Sequence, residues 1–229
     1  MSSTRLPGKV MADLVGAPMI LRQIERLADA GLDQLIVATS EDPSDDGLAQ
    51  TLRQAGQAVY RGPLGDVLGR FAGAIRHLDP QDLVVRLTAD CPLTDPILIR
   101  RLVDAHHLSH RDYSSTTWPR RTFPKGLDAE VLSAALLRHV AEIATDAYDR
   151  EHVTPFVYRQ PERFRLGGIQ QTRWEGEACW TVDTAEDLAF AREIYRSLHG
   201  PGICFTTESI RSLVRSAPAL RAFGGTRRL

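Results

Sequence analysis

The residues best equipped for chemistry stand near the start of the chain. The stretch SSTRLPGKV sets small polar Ser2, Ser3 and Thr4 before a Pro7-Gly8 turn, with two cations, Arg5 and Lys9, four residues apart around it. Arginine grips phosphate oxygens as a planar fork, lysine acts as a point charge, and glycine lets the backbone approach an anion. The stretch therefore reads as an anion-binding loop, although a solvated basic turn has the same composition. Two carboxylates far downstream end apolar runs: Asp90 in VVRLTADCPLTDP, before Pro92 turns the chain away, and Asp183 in CWTVDTAEDL. Each also has an ordinary local use, Asp90 as a turn residue, and Asp183 or Thr184 as a helix N-cap with Glu186 and Asp187 favourable to the N-terminal dipole. The histidines read as structural: His152 in REHVTPFVY bonded to neighbours, and His106 and His110 of HHLSH at a solvated helix end, without the Glu of a zinc H-E-x-x-H site.

Residues so far apart in sequence act together only if a fold converges them. APMILRQIERLADAG places Ile20, Leu21, Ile24 and Leu27 at helical spacing and stops at Gly31, and DQLIVATS follows as a buried strand. Helices in DDGLAQTLRQAG and GDVLGRFAGAIRHL then alternate with strands at AVY and DLVVRLTAD. The helix ILIRRLVDAHHLS leads to strands in DYSSTT and LDAEVLS, a helix in AALLRHVAEIA, a segment broken at Pro155, strands at FRLGGIQ and WTVD, and two final helices. Helices between buried strands predict a mainly parallel sheet with both faces covered, where ligands lie beyond the carboxyl ends of the strands. Asp90 falls at such an end. The chain shows no repeat or linker, so residues 1–229 read as a single domain.

Composition sets the rest. The 229 residues are 43% hydrophobic, enough for a substantial core, and 28 basic against 29 acidic residues give a formal charge of −1, so bulk attraction to nucleic acid or an anionic membrane is not expected. Cys91, Cys179 and Cys204 are too few and too scattered for a disulfide framework or a zinc site. With no apolar leader run at the start, a cytoplasmic protein is expected.

The blocks SSTRLPGKVM, GDVLGRF, VVRLTADCPLTDP, FPKGLDAEVLS, REHVTPFVY and WTVDTAEDL, in this order from Ser2 to Leu188, resemble cytidylyltransferases of the spore coat polysaccharide biosynthesis type, relatives of the acylneuraminate and deoxy-octulosonate cytidylyltransferases. The resemblance implies a Rossmann-like α/β nucleotidyltransferase that moves CMP from CTP to a sugar, commonly an acidic one or a sugar phosphate, releasing pyrophosphate with Mg2+ or another divalent cation. It assigns nucleotide binding to Ser3, Thr4, Arg5, Gly8, Lys9 and Ala89, charge neutralisation in catalysis to Arg5 and Lys9, and the metal to Asp90 and Asp183. In TWPRRTFPKGLDAEV it gives Arg120, Arg121 and Lys125 to a substrate carboxylate or phosphate, and Asp128 and Glu130 to substrate hydroxyls; a solvated loop would hold the same arginines. A homodimer is compatible with it. Family members carry an apolar strand before the first loop, and here Met1 stands where that strand would end, so the usual first, central strand is expected to be missing. Two other readings stay open: a shortened, catalytically weak nucleotide-binding protein, and a glycosyltransferase of related fold with Asp128 and Glu130 as its metal-binding pair.

Overall fold

The structure, a computed structural model, describes residues 5–200 and 202–229. In chain order the main elements are α1 (Met19–Leu27), β1 (Ile36–Ser40), α2 (Asp46–Gln54), β2 (Ala58–Gly62), α3 (Val67–Ala74), β3 (Leu83–Arg86), α4 (Pro96–Ser109), β4 (Tyr113–Ser115), β5 (Glu130–Ser133), α5 (Ala134–Ile143), α6 (Ala147–His152), α7 (Pro155–Tyr158), β6 (Leu166–Gly168), α8 (Ala185–Leu198) and α9 (Thr207–Ser216). β1 and β2 pair in parallel from Ile36 opposite Ala58 to Ser40 opposite Gly62. Their crossover helix α2 lays Leu48 and Leu52 on Val37 and Val59, which is why Leu48, Ala49 and Leu52 repeat at helical spacing.

The second sheet has the order β3-β5-β4-β6 and is mixed. β4 and β6 run parallel, as alternation of helix and strand predicts, but β5 lies antiparallel to both β3 and β4. The cause is the connection: residues 116–129 carry no helix to return the chain to the same end, so β5 runs back between its neighbours. The stretch WTVD is not a strand either, and its neighbourhood contributes only an isolated bridge of Cys179 with Lys125.

Among the described residues no ladder joins the two sheets, and no strand precedes Ile36. Ile36, Val37 and Ala38 of β1 and Leu83 and Val85 of β3 are only partly buried, unlike strands covered on both faces within a parallel sheet.

The largest core cluster joins Met19 of α1, Leu93, Trp180 and Val182, Phe190 and Tyr195 of α8, and Ile210 and Val214 of α9. It fastens together the segments just after Asp90 and just before Asp183. Tyr195 reinforces this by donating its hydroxyl to the Pro92 carbonyl at 2.8 Å.

Candidate active site

Gly8, at φ +70°, turns the N-terminal loop so that the 3-10 turn Lys9–Met11 can start. The Lys9 ammonium then reaches two acids distant in sequence, donating to Asp90 Oδ2 at 3.1 Å and to Asp183 Oδ1 at 2.9 Å. The Arg5 guanidinium stands 3.1 Å from Asp183 Oδ1, and the Lys125 ammonium 3.8 Å from Asp183 Oδ2. Three cations thus gather on two carboxylates. Burial disfavours the charged form of Lys9, yet its hydrogen bond to Asp183 and the field of Asp90 outweigh it and raise the pKa. Burial likewise opposes ionisation of Asp183, but Lys9, Arg5 and Lys125 together hold its carboxyl below the usual range.

The two acids are aimed by neighbouring backbone. Val182 N–H donates to the Asp90 carbonyl at 2.9 Å, clipping one acidic segment to the other. Thr184 caps α8 in a reciprocal capping box with Asp187, so of the two N-cap candidates Thr184 takes the role and the Asp183 side chain faces the cations. Asp187 Oδ2 accepts from the backbone N–H of Asp183 and of Thr184 at 3.0 and 2.9 Å. Its other oxygen accepts from Arg228 at 2.7 Å. Burial opposes the charge of Asp187, and these hydrogen bonds, Arg228 first, overcome it and lower the pKa.

Arg228 is fully buried, donates also to the Cys179 carbonyl at 2.8 Å, and lies over the Phe190 ring at 4.6 Å. Sequence reasoning missed this support, since nothing in a C-terminal TRRL marks one arginine as interior. Asp66 and Arg150 were also missed. Asp66 caps α3 through Gly69 N–H at 2.8 Å and receives Arg150 Nε and Nη2 at 3.0 and 2.6 Å, which pins the GDVLGRF block to the REHVTP block. Both sit in motifs whose charged residues had a legible signal.

Beside the cluster opens a cavity of about 350 Å³ whose lining includes Thr88, two residues before Asp90, together with Arg121, Asp128 and Glu130. Arg121 clamps Asp128 with both terminal nitrogens, Nη2 to Oδ2 at 2.7 Å. Glu130 is held three ways: Arg86 on Oε2, and the hydroxyls of Tyr113 and Thr154 on Oε1, each at 2.6 Å. Thr154 follows Val153, a β-branched residue at φ +76°, so a strained turn delivers that hydroxyl. The carboxylates expected to meet a substrate's hydroxyls are thus also engaged with the protein itself.

The other expected residues divide. Lys125 belongs to the Asp183 cluster and does not line the cavity; Gly126 behind it, at φ +107°, passes so close to Trp180 and Thr181 that an added Cβ would meet Thr181 N at 2.8 Å. Arg120 is exposed away from the cavity lining, and Ala89 is exposed beside Asp90. Ser3 and Thr4 lie outside the described residues. His152 is exposed and packs against Tyr148, with ring centroids 4.3 Å apart and the rings tilted by 58°. His106 departs from expectation: it is buried, because α4 packs on β4 and its Nδ1 meets the Ser114 hydroxyl at 2.9 Å, and burial pushes its pKa down.

As to a metal, no group of three or more His, Cys, Asp or Glu side chains is placed to hold an ion among the described residues. The donor chemistry still fits Mg2+, which is commonly held by one or two carboxylates, with substrate phosphate oxygens and waters completing its shell. Asp90 and Asp183 converge on one cation, here the Lys9 ammonium, and so offer two hard oxygen ligands toward a common point. Among the described residues no helix is long and apolar enough to cross a membrane.

Comparison with known proteins gives the family. A sequence profile described as Cytidylyltransferase matches residues 1–200. The spore coat polysaccharide biosynthesis protein SpsF of Bacillus subtilis is 31% identical over 204 residues, covering 86% of this chain and 83% of that protein. A 3-deoxy-manno-octulosonate cytidylyltransferase of Anaeromyxobacter dehalogenans is 41% identical over 106 residues, 45% of this chain and 42% of its own. Among solved structures, a cytidylyltransferase from Leptospira borgpetersenii superposes with a TM-score of 0.87 at 27% identity, covering 96% of this chain and 92% of that one. A CMP:2-keto-3-deoxy-manno-octonic acid synthetase complexed with CTP shares the fold, at a TM-score of 0.63 and 16% identity over 86% of this chain and 95% of its own. With the profile spanning the N-terminal loop, Asp90 and Asp183 alike, the chain belongs to the cytidylyltransferase family.

Proposed function

We propose that this cytidylyltransferase takes CTP at the Arg5–Lys9–Asp90–Asp183 cluster and passes CMP to a sugar hydroxyl or sugar phosphate presented from the adjoining cavity. The observation that carries the reading is the Lys9 ammonium shared between Asp90 and Asp183, with two further cations on Asp183. In the transfer an acceptor oxygen forms a bond to the α-phosphorus of CTP, the bond from that phosphorus to the oxygen bridging to the β-phosphate breaks, and pyrophosphate leaves with the electron pair. A hydroxyl acceptor loses its proton to solvent. Catalysis of such a displacement is mainly alignment and charge neutralisation.

Each residue has a part in that alignment. Among the described residues Lys9 donates to the two carboxylates, and its ammonium carries a third N–H that would serve a phosphate oxygen. Arg5, more than half exposed, and Lys125 stand where the triphosphate tail enters. Asp90 and Asp183 would hold a divalent cation, which when bound supplies further neutralisation of the phosphate charge. The capping box and Arg228 keep Asp183 from turning away.

The test is a screen of pooled sugar acids, neutral sugars and sugar phosphates with each nucleoside triphosphate, Mg2+ present, reading pyrophosphate. CTP-dependent release with one acceptor class supports the reading. Binding of CTP without release under any acceptor would favour the weak nucleotide-binding alternative, and transfer from a preformed nucleotide-sugar would favour a glycosyltransferase.

A further inference from the structure

A second cavity, of about 620 Å³, opens at the opposite end of the mixed sheet from the candidate active site. Leu83 and Ser133, paired across β3 and β5, line it, whereas Arg86 and Glu130, paired at the other end of the same two strands, line the cavity beside Thr88. Three residues of strand, about 10 Å, separate the two ends. Asp112 is the one carboxylate of the second lining among the described residues, and Arg165 already occupies it, with its backbone N–H on Oδ2 at 2.7 Å and Nη2 on Oδ1 at 2.9 Å. Two further arginines of the lining, Arg111 and Arg163, have no acid partner among the described residues. Arg163 donates to the neutral side chain of Gln160 and lies over the Phe156 and Phe164 rings at 5.5 and 5.4 Å. Arg111 rests its stem on Gly167, where an added Cβ would stand 2.9 Å from its Cγ, so the bare glycine seats it beside the cavity.

Two guanidinium groups without a counter-charge around one cavity suit an anion, and their planar forks match phosphate oxygens. His107 and His110, at the end of α4, add ring N–H donors to the same lining. Beside these groups Leu83, Leu136 and Phe164 form an apolar wall. A lone phosphate would leave that wall uncovered, whereas a base packs on it. The volume falls in the middle of the roughly 300–1,000 Å³ of small-molecule sites, far more than a phosphate alone fills. We infer that this cavity is a second nucleotide site, which takes a mononucleotide with its phosphate on Arg111 and Arg163 and its base against Leu83, Leu136 and Phe164. None of these residues takes part in the proposed function, so the two readings fail separately. Both arginines are exposed, so the attraction is screened by salt.

The experiment titrates the whole nitrogen-15-labelled protein at low salt with CMP, with ribose 5-phosphate, which lacks the base, and with cytidine, which lacks the phosphate. Backbone amide signals of Arg111, Arg165 and Gly167 report this cavity, and those of Gly8, Asp90 and Asp183 report the candidate active site. CMP should shift the first set, about tenfold or more tightly than ribose 5-phosphate does, and cytidine should leave it still. Arg111→Gln/Arg163→Gln should weaken CMP at the first set by about tenfold or more, with the second set responding as in wild type and an unchanged Tm as the folding control. Arg111→Lys/Arg163→Lys, which keeps both charges, should recover part of the loss. CMP shifts confined to the second set, ribose 5-phosphate or cytidine binding the cavity as tightly as CMP, or full CMP affinity at the cavity in the folded glutamine variant would each overturn the inference. Shifts in the first set with the second silent to CMP and to CTP would instead strike at the proposed function.

Discussion

Arg228→Met isolates the support beneath the candidate site. The side chain is wholly buried, its Nη2 pairs with Asp187 Oδ1 at 2.7 Å, its Nη1 meets the Cys179 carbonyl at 2.8 Å, and its guanidinium covers Phe190. Methionine fills much of the volume but leaves the Asp187 carboxylate buried without its cation. Removing one partner of a buried pair costs about 3–5 kcal/mol. Asp187 keeps two backbone N–H bonds on Oδ2, which places the expectation at the lower end, near 3 kcal/mol. For a chain of this size that is a fall in Tm of roughly 6–12 °C. Asp187 orients Asp183 through its backbone N–H, so kcat/KM for CTP should also fall at temperatures where the variant is fully folded. The double variant Arg228→Met/Asp187→Asn should be less destabilised than the two singles added together, by about 1–3 kcal/mol, because no uncompensated charge remains. Urea unfolding gives all four corners of the cycle. A loss below about 1 kcal/mol in Arg228→Met, or strict additivity, would refute the claim that this pair holds the Asp183 segment.

Further outcomes follow from the same geometry. Lys9→Ala should weaken CTP binding and slow turnover together, since phosphate charge is present in the ground state and redistributes in the transition state; steady-state kinetics showing neither change would reduce the loop to a turn. Asp183 has a lowered pKa, so its contribution to stability is present above the ordinary carboxylate value of about 3.9 and is lost as pH falls through the lower folded value. Lys9 has a raised pKa, so its contribution is complete below about 10.4 and is lost as pH rises through the higher folded value. Denaturation followed against pH should therefore show this cluster silent between about pH 5 and 9, with the acid limb moved upward in Lys9→Ala. Gly126→Ala forces a Cβ against the Trp180–Thr181 backbone at a left-handed φ, and should cost more than about 1 kcal/mol while displacing Lys125. A variant as stable and active as wild type would exclude that close approach.

The contrast between what the sequence announces and what it conceals has a physical basis. Arg5, Lys9, Asp90 and Asp183 were legible because they end apolar runs or flank a turn, positions that a parallel α/β sheet turns toward its ligand side. The direction of β5 was not legible, since EVLS carries the same apolar pattern whichever way it runs and only the helix-free 116–129 connection decides. Arg121, Asp128 and Glu130 were recognised as a charged constellation, but their mutual pairing depends on side-chain geometry across the loop, which spacing does not encode. His106 misled for a similar reason: a polar residue at a helix end is interior only because β4 brings Ser114 to meet it. Arg228 lies 41 residues from its partner Asp187, beyond any local signal.

The most direct test of the central claim is pyrophosphate release from CTP by Asp90→Asn beside wild type, under saturating Mg2+ and an accepted sugar, with Tm measured on the same samples. Asp90 is partly exposed, and the amide keeps its shape while removing the charge that Lys9 and a cation would share. The account predicts a fall in turnover of roughly 10²–10³ with Tm nearly unchanged. Wild-type turnover in a folded Asp90→Asn would contradict the placement of CTP and its cation between Lys9, Asp90 and Asp183.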